Sequence, residues 1–243
     1  SGSLGLDTLG IEDLCKALSS FEHLQGLSLD LCRSTQIKNL DIRNLVCSIK
    51  KLKNLSRLLF SLVDVDPLHV ETLQTLMGRG DGLNQLTDLN LILPLRSHQI
   101  KEDIWEGLAA LPKLSRLALD FISDSKFINQ VLRSLGRVLK KLRLKEFDLS
   151  FCEDLKIKTS TWKILFDGID ALTSLSKLSL NGINSNAIHK PGLSLKHIKG
   201  LIEFTLGIRT SFGATKTNLQ SIGLFLKNQK DLNMLKFNFL QGD

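Results

Sequence analysis

LSRLALDF, residues 114–121, is the stretch whose reading decides the fold. Its leucines stand at the first, fourth and sixth positions, and alternate side chains point to opposite faces of an extended chain. The pattern Leu-x-x-Leu-x-Leu, with Phe replacing Leu in places, returns eight times, opening at Leu24, Leu55, Leu86, Leu114, Leu144, Leu175, Leu201 and Leu232. Successive openings are 31, 31, 28, 30, 31, 26 and 31 residues apart. A steady period in this range marks a solenoid, in which each unit leaves apolar surface that only its neighbours cover. The spacing predicts eight short strands and one elongated domain spanning residues 1–243.

Between the strands the apolar period lengthens to that of a helix. Ile11, Leu14, Cys15, Leu18 and Phe21 form one stripe over residues 11–23, and Ile42, Leu45, Val46, Ile49 and Leu52 form another over 41–53. Residues 127–141, 162–172 and 219–226 behave alike. A strand followed by a helix implies parallel strands with right-handed crossovers. The chain resembles the leucine-rich repeat family, in its ribonuclease-inhibitor-like branch, over residues 4–240. That resemblance implies an α/β solenoid bent into a right-handed horseshoe, with about eight strand–helix repeats, a concave parallel sheet and convex helices. It also implies a role in protein binding.

The family places Asn or Cys eight residues after the opening leucine, where Cys32 and Cys152 stand here. Elsewhere the position holds Val63, Pro94, Ile122, Ile183, Arg209 and Leu240, so the chain departs from that ladder. All four cysteines, with Cys15 and Cys47, read as small buried hydrophobes with free thiols, which points to a reducing, intracellular setting.

If the leucines face the core, the residues between them face the concave side. The first such column reads Gly26, Arg57, Asp88, Arg116, Glu146, Lys177, Glu203 and Met234, and its six middle members alternate in sign. A second column runs from Ser28 to Lys236 and includes Asp148; a third runs from Asp30 through Asp120 to Asn238. The alternating row is either a self-neutralising ladder that holds the register or a polar docking strip. The candidate contact residues are therefore Arg57, Asp88, Arg116, Glu146, Lys177 and Glu203, with Asp30, Asp120 and Asp148 as an acidic floor. Phe212, in the run GIRTSFGATKTN, adds a rim-loop candidate. The chain contains no tyrosine, and no ring occupies the columns, so the surface lacks the aromatic anchors that dominate many interfaces.

The net charge of +7 raises nucleic acid as a partner. The cations, however, cluster as Lys50, Lys51 and Lys53, as Lys140, Lys141 and Arg143, and as Lys227 and Lys230. These positions read as last helical turns, where positive charge complements the helix dipole. Single-strand binders also need stacking rings beside a positive groove, which the acidic columns oppose. RNA or phosphate binding through the basic helix ends is thus the alternative reading. Another is the substrate-recognition part of a ubiquitin ligase complex.

No chemistry-bearing constellation stands out. The five histidines are scattered over different repeats, and no metal spacing or nucleophile–base arrangement is present, so neither an enzyme nor a cofactor or metal site is expected. Gly78-Arg-Gly-Asp-Gly82 reads as a helix C-terminal turn, and no apolar run is long enough to span a bilayer. Trp105 and Trp162 read as packing between helix and sheet. The run NGINSNAIHKPG, residues 181–192, reads as a polar interruption with room for a short helix only. Neither end has a polar cap, which predicts that the natural chain continues or that another domain or subunit covers an end.

Overall fold

A computed structural model of the protein describes residues 8–32, 34, 37–63, 70–77, 82–94, 104–122, 127–152, 155–184, 195–210 and 216–241. The eight repeated patterns form β1 (Gly26–Asp30), β2 (Arg57–Ser61), β3 (Asp88–Pro94), β4 (Arg116–Ile122), β5 (Glu146–Phe151), β6 (Lys177–Asn184), β7 (Glu203–Thr210) and β8 (Met234–Gln241). They make one sheet, parallel throughout, in which every strand pairs with its neighbours in chain order. Helices alternate with the strands: α1 (Thr8–Ser19), α2 (Asn39–Ile49), α3 (Val70–Met77), α4 (Ile128–Leu139), α5 (Thr159–Asp170) and α6 (Lys216–Leu226). Between β3 and β4 the place of the helix is taken by a 3-10 segment, Glu106–Ala110, in the shorter 28-residue unit. This alternation of strand and helix in a single parallel sheet is consistent with a solenoid.

One backbone device recurs at all seven junctions. The carbonyl just before each strand accepts two N–H groups from the next: Gln25 from Ser56 and Arg57, and Ser56 from Thr87 and Asp88, through to Ile202 from Asn233 and Met234. Ser56, Thr87 and Ser176 add their hydroxyls to the same carbonyls at 2.9–3.1 Å. This accounts for the Ser and Thr that follow the opening leucine, because the hydroxyl satisfies a lone pair the sheet leaves over.

The helix ends differ from the sequence reading. The apolar stripe runs on past each helix into a tight turn, where Leu52 and Leu172 accept from Leu55 and Leu175 three residues on. The stripe therefore keeps its spacing after the helix has stopped at Ile49 or Asp170. Lys50, Lys51 and Lys53 consequently lie just beyond α2, and Lys140, Lys141 and Arg143 just beyond α4.

The strands also carry a further inward seat. Seven residues after the opening leucine, Leu31, Leu62, Leu93, Phe121, Phe151 and Ile208 are all buried. Alternation continues there for another step, so at Cys32 and Cys152 the eighth position turns outward. Both are exposed, Cys47 is exposed on α2, and Cys15 is partly buried; the expectation of four buried cysteines is corrected. The same extension places residues 181–184 in β6 and 207–210 in β7, not in the loops expected there.

The core is a single apolar layer between the sheet and the helices, continuous from Ile11 to Phe225. Trp105 and Trp162 lie inside it as expected, and Trp105 Nε1 donates to the Val131 carbonyl at 3.1 Å. Polar side chains staple successive units on the helix side. Asn129 of α4 accepts from the Lys158 amide and the Thr161 hydroxyl at the start of α5, at 2.8 and 2.9 Å. Buried Asp170 accepts from the His197 amide and faces its ring nitrogen at 2.6 Å. Buried Gln229 donates to the Ile198 carbonyl at 2.7 Å.

Candidate functional site

The sheet face turned away from the core carries no covering element among the described residues. Its first column pairs in the order Gly26, Arg57, Asp88, Arg116, Glu146, Lys177, Glu203 and Met234. The second keeps register from Ser28 to Lys236. The third holds from Asp30 to Asn181, then breaks: pairing passes from Leu180–Leu206 to Ile183–Ile208 across a bulge. Gly182 sits in that bulge at φ 69, a left-handed conformation that suits glycine. A Cβ there would also strike the Phe151 carbonyl.

The charges do not pair uniformly along the row. Arg116 shares its guanidinium between Asp88, at 3.3 Å, and Glu146, at 3.4 Å. Among the described residues Lys177 reaches Glu203 alone, at 3.1 Å. A planar fork spans carboxylates on both flanking strands, whereas an ammonium is a point charge that settles on a single partner. Arg57 makes no ion pair among the described residues. Its guanidinium lies over Gly26, 3.5 Å from where a Cβ would stand, so the bare backbone of β1 receives it. The expected ladder thus divides into a lone Arg57, a triad and a pair.

The acidic floor divides too. Asp30, on the outermost strand, accepts from the Cys32 amide at 3.0 Å and serves its own turn. Asp120 receives the Cys152 thiol at 3.5 Å. Asp148 is the most perturbed group of the face. Burial raises its pKa above the ordinary carboxylate value, opposed by a hydrogen bond from Ser179 and the charge of Arg116, and Asp120 raises it further. Phe212 lies outside the described residues.

Two shallow depressions lie on this face. One, of about 380 Å³, spans β1 to β4 over Gly26, Leu59 and Asn90; the other, of about 250 Å³, spans β5 to β7 around Asp148, Ser179 and Thr205. Arg116 borders both. Two residues emerge that sequence reasoning did not single out. Ala118, almost fully buried, is the shortest side chain in the second column, between Asn90 and Asp148. Arg209, at the end of β7, reaches over β6 to donate to the carbonyls of Phe151 and Cys152. Only the small size of Ala118 was a signal in the sequence, and nothing local marks Arg209.

A different exposed surface lies at the end of the sheet. On β8, Leu235, Phe237 and Phe239 are 44%, 38% and 55% exposed, although the equivalent seats on β2 to β7 are buried. Among the described residues no His, Cys, Asp and Glu cluster suits a metal ion, and no helix is long and apolar enough to cross a membrane. No protein-family model matches this chain, and no curated protein matches it either.

Proposed function

We propose that this chain is a non-enzymatic protein-interaction module of the leucine-rich repeat type, whose sheet lines the concave side of a horseshoe and binds a protein partner. The observation that carries the reading is a face of eight parallel strands, uncovered among the described residues, on which in-register pairing sets six charges and a row of small side chains in fixed order. Exposed ion pairs contribute about 0–1 kcal/mol each, so the row is dispensable for stability and free to specify a partner's orientation. The uncovered apolar residues of β8 support a second contact, in which another domain or subunit covers that end of the sheet.

The test is affinity capture from a native extract with the full chain and with the Arg57→Glu, Arg116→Glu, Lys177→Glu variant, read by quantitative mass spectrometry. A thermal melt of both proteins accompanies it. Loss of specific partners by a variant that melts like the parent supports open-face binding. Capture of the same proteins at unchanged affinity excludes that face.

A further inference from the structure

We infer that the open face takes a positively charged protein segment, one lysine or arginine of which seats over Ala118 between Asp120 and Asp148. This deepens the open-face reading and rests on it. Around β3 to β5 negative charge exceeds positive. Asp88 and Glu146 both lean on the single guanidinium of Arg116. Asp120 and Asp148 have no ion-pair partner among the described residues. Four carboxylates therefore share one cation, on a chain whose total charge is +7. Over the three columns as a whole, Asp30, Asp88, Asp120, Glu146, Asp148 and Glu203 outnumber the four cations.

Shape agrees with charge. Ala118 pairs in register with Asn90 on one side and Asp148 on the other, and Arg116 and Asp120 stand two residues away along its own strand. The Ala118 methyl thus stands among four longer polar side chains, two of which, Asn90 and Asp148, line the two depressions. An ammonium or guanidinium placed there meets Asp120, Asp148 and the Asn90 amide, and on its fourth side Arg116, whose charge is already held by Asp88 and Glu146. The burial that disfavours the charged form of Asp148 is offset when a cation arrives, because an opposite charge nearby favours the carboxylate. Basic segments are repelled by the lysine clusters beyond the helix ends and are drawn toward the carboxylates of this face.

Fluorescence anisotropy at low salt tests this with two labelled eight-residue peptides, one alternating Lys and Ser, the other alternating Glu and Ser. The full chain is compared with Asp120→Asn/Asp148→Asn and with Asp13→Asn/Asp167→Asn, which removes equal charge from α1 and α5. Far-UV circular dichroism checks that each variant is folded. The expected result is binding of the Lys–Ser peptide alone, at least tenfold weaker with the first variant and within twofold for the second. Equal affinity for the first variant, or equal weakening by both, overturns the inference. Binding of the Glu–Ser peptide that is lost on reversing Arg57, Arg116 and Lys177 also overturns it, while leaving the open-face reading standing. If neither peptide binds, this inference fails and the open-face reading stands or falls on its own capture experiment.

Discussion

Replacing Gly168 with Ala tests how the helix layer is assembled. Within most helices this change stabilises, by about 0.5–1 kcal/mol, because glycine loses more backbone freedom on folding. Gly168 lies in α5 against α4, and a Cβ there would stand 2.2 Å from the Gly136 carbonyl oxygen and 2.8 Å from that residue's C and Cα. Close carbon–oxygen contacts settle at about 3.3 Å, so α5 must withdraw by roughly 1 Å. A gap of that size forfeits about a quarter to a half of the attraction between facing atoms. Overpacking of this kind costs about 1–3 kcal/mol; set against a helix gain of about 0.5–1 kcal/mol, the net loss reaches about 2.5 kcal/mol. Urea unfolding followed by circular dichroism reads the change directly. Gly223→Ala is the control, since nothing lies within 4 Å of a Cβ on that α6 glycine, and it is expected to gain up to about 1 kcal/mol. A Gly168→Ala protein as stable as the parent, or a shift of the same sign and size in both variants, refutes the close-approach argument.

Asp148→Asn is expected to raise the melting temperature at pH 7. Burial raises the folded-state pKa of Asp148, with Asp120 adding to it, so the folded protein holds that proton more tightly than the unfolded chain. The stability this supplies is present below the unfolded-state value and lost as pH rises through the folded one. The advantage of Asn should therefore shrink as melts are repeated toward pH 4; an advantage that grows on acidification contradicts the assignment. Arg116→Gln should cost less than about 2 kcal/mol in urea titration, because the two pairs it breaks are largely exposed. Phe237→Ser/Phe239→Ser should lower the unfolding midpoint, since both rings are partly buried, yet reduce concentration-dependent light scattering of the folded protein; unaltered scattering would show that β8 is not a sticky edge.

The strands and their register were legible because period two admits only one placement of Leu117 and Leu119, in line with Phe147 and Leu149 on the next strand. Once those are inward, Arg116, Ala118 and Asp120 must face out. Helix ends were less legible, since Leu52 keeps the stripe's spacing from within a turn. Cys32 was misplaced because a family position was applied to a strand whose alternation runs a step further, through Leu31. Pairing within the charged row was hidden as well. Sequence order makes Arg57 and Arg116 equivalent, but only the three-dimensional surroundings show one lying over a glycine and the other forked between two carboxylates. The bulge at Gly182 could not be read from a run of polar residues that also suits a loop.

Strand order equal to chain order bears on how such a body would yield under tension. Pull the two termini apart and the load falls on one ladder of hydrogen bonds at a time, at whichever end is least covered. Among the eight strands, β8 would detach first wherever nothing else covers it, because its apolar side chains already meet water. Each released unit of about 30 residues would lengthen the tether by roughly 100 Å. A molecule built this way extends in stairs, as a spring with countable coils, and the coils nearest the opposite terminus stay wound while the others straighten.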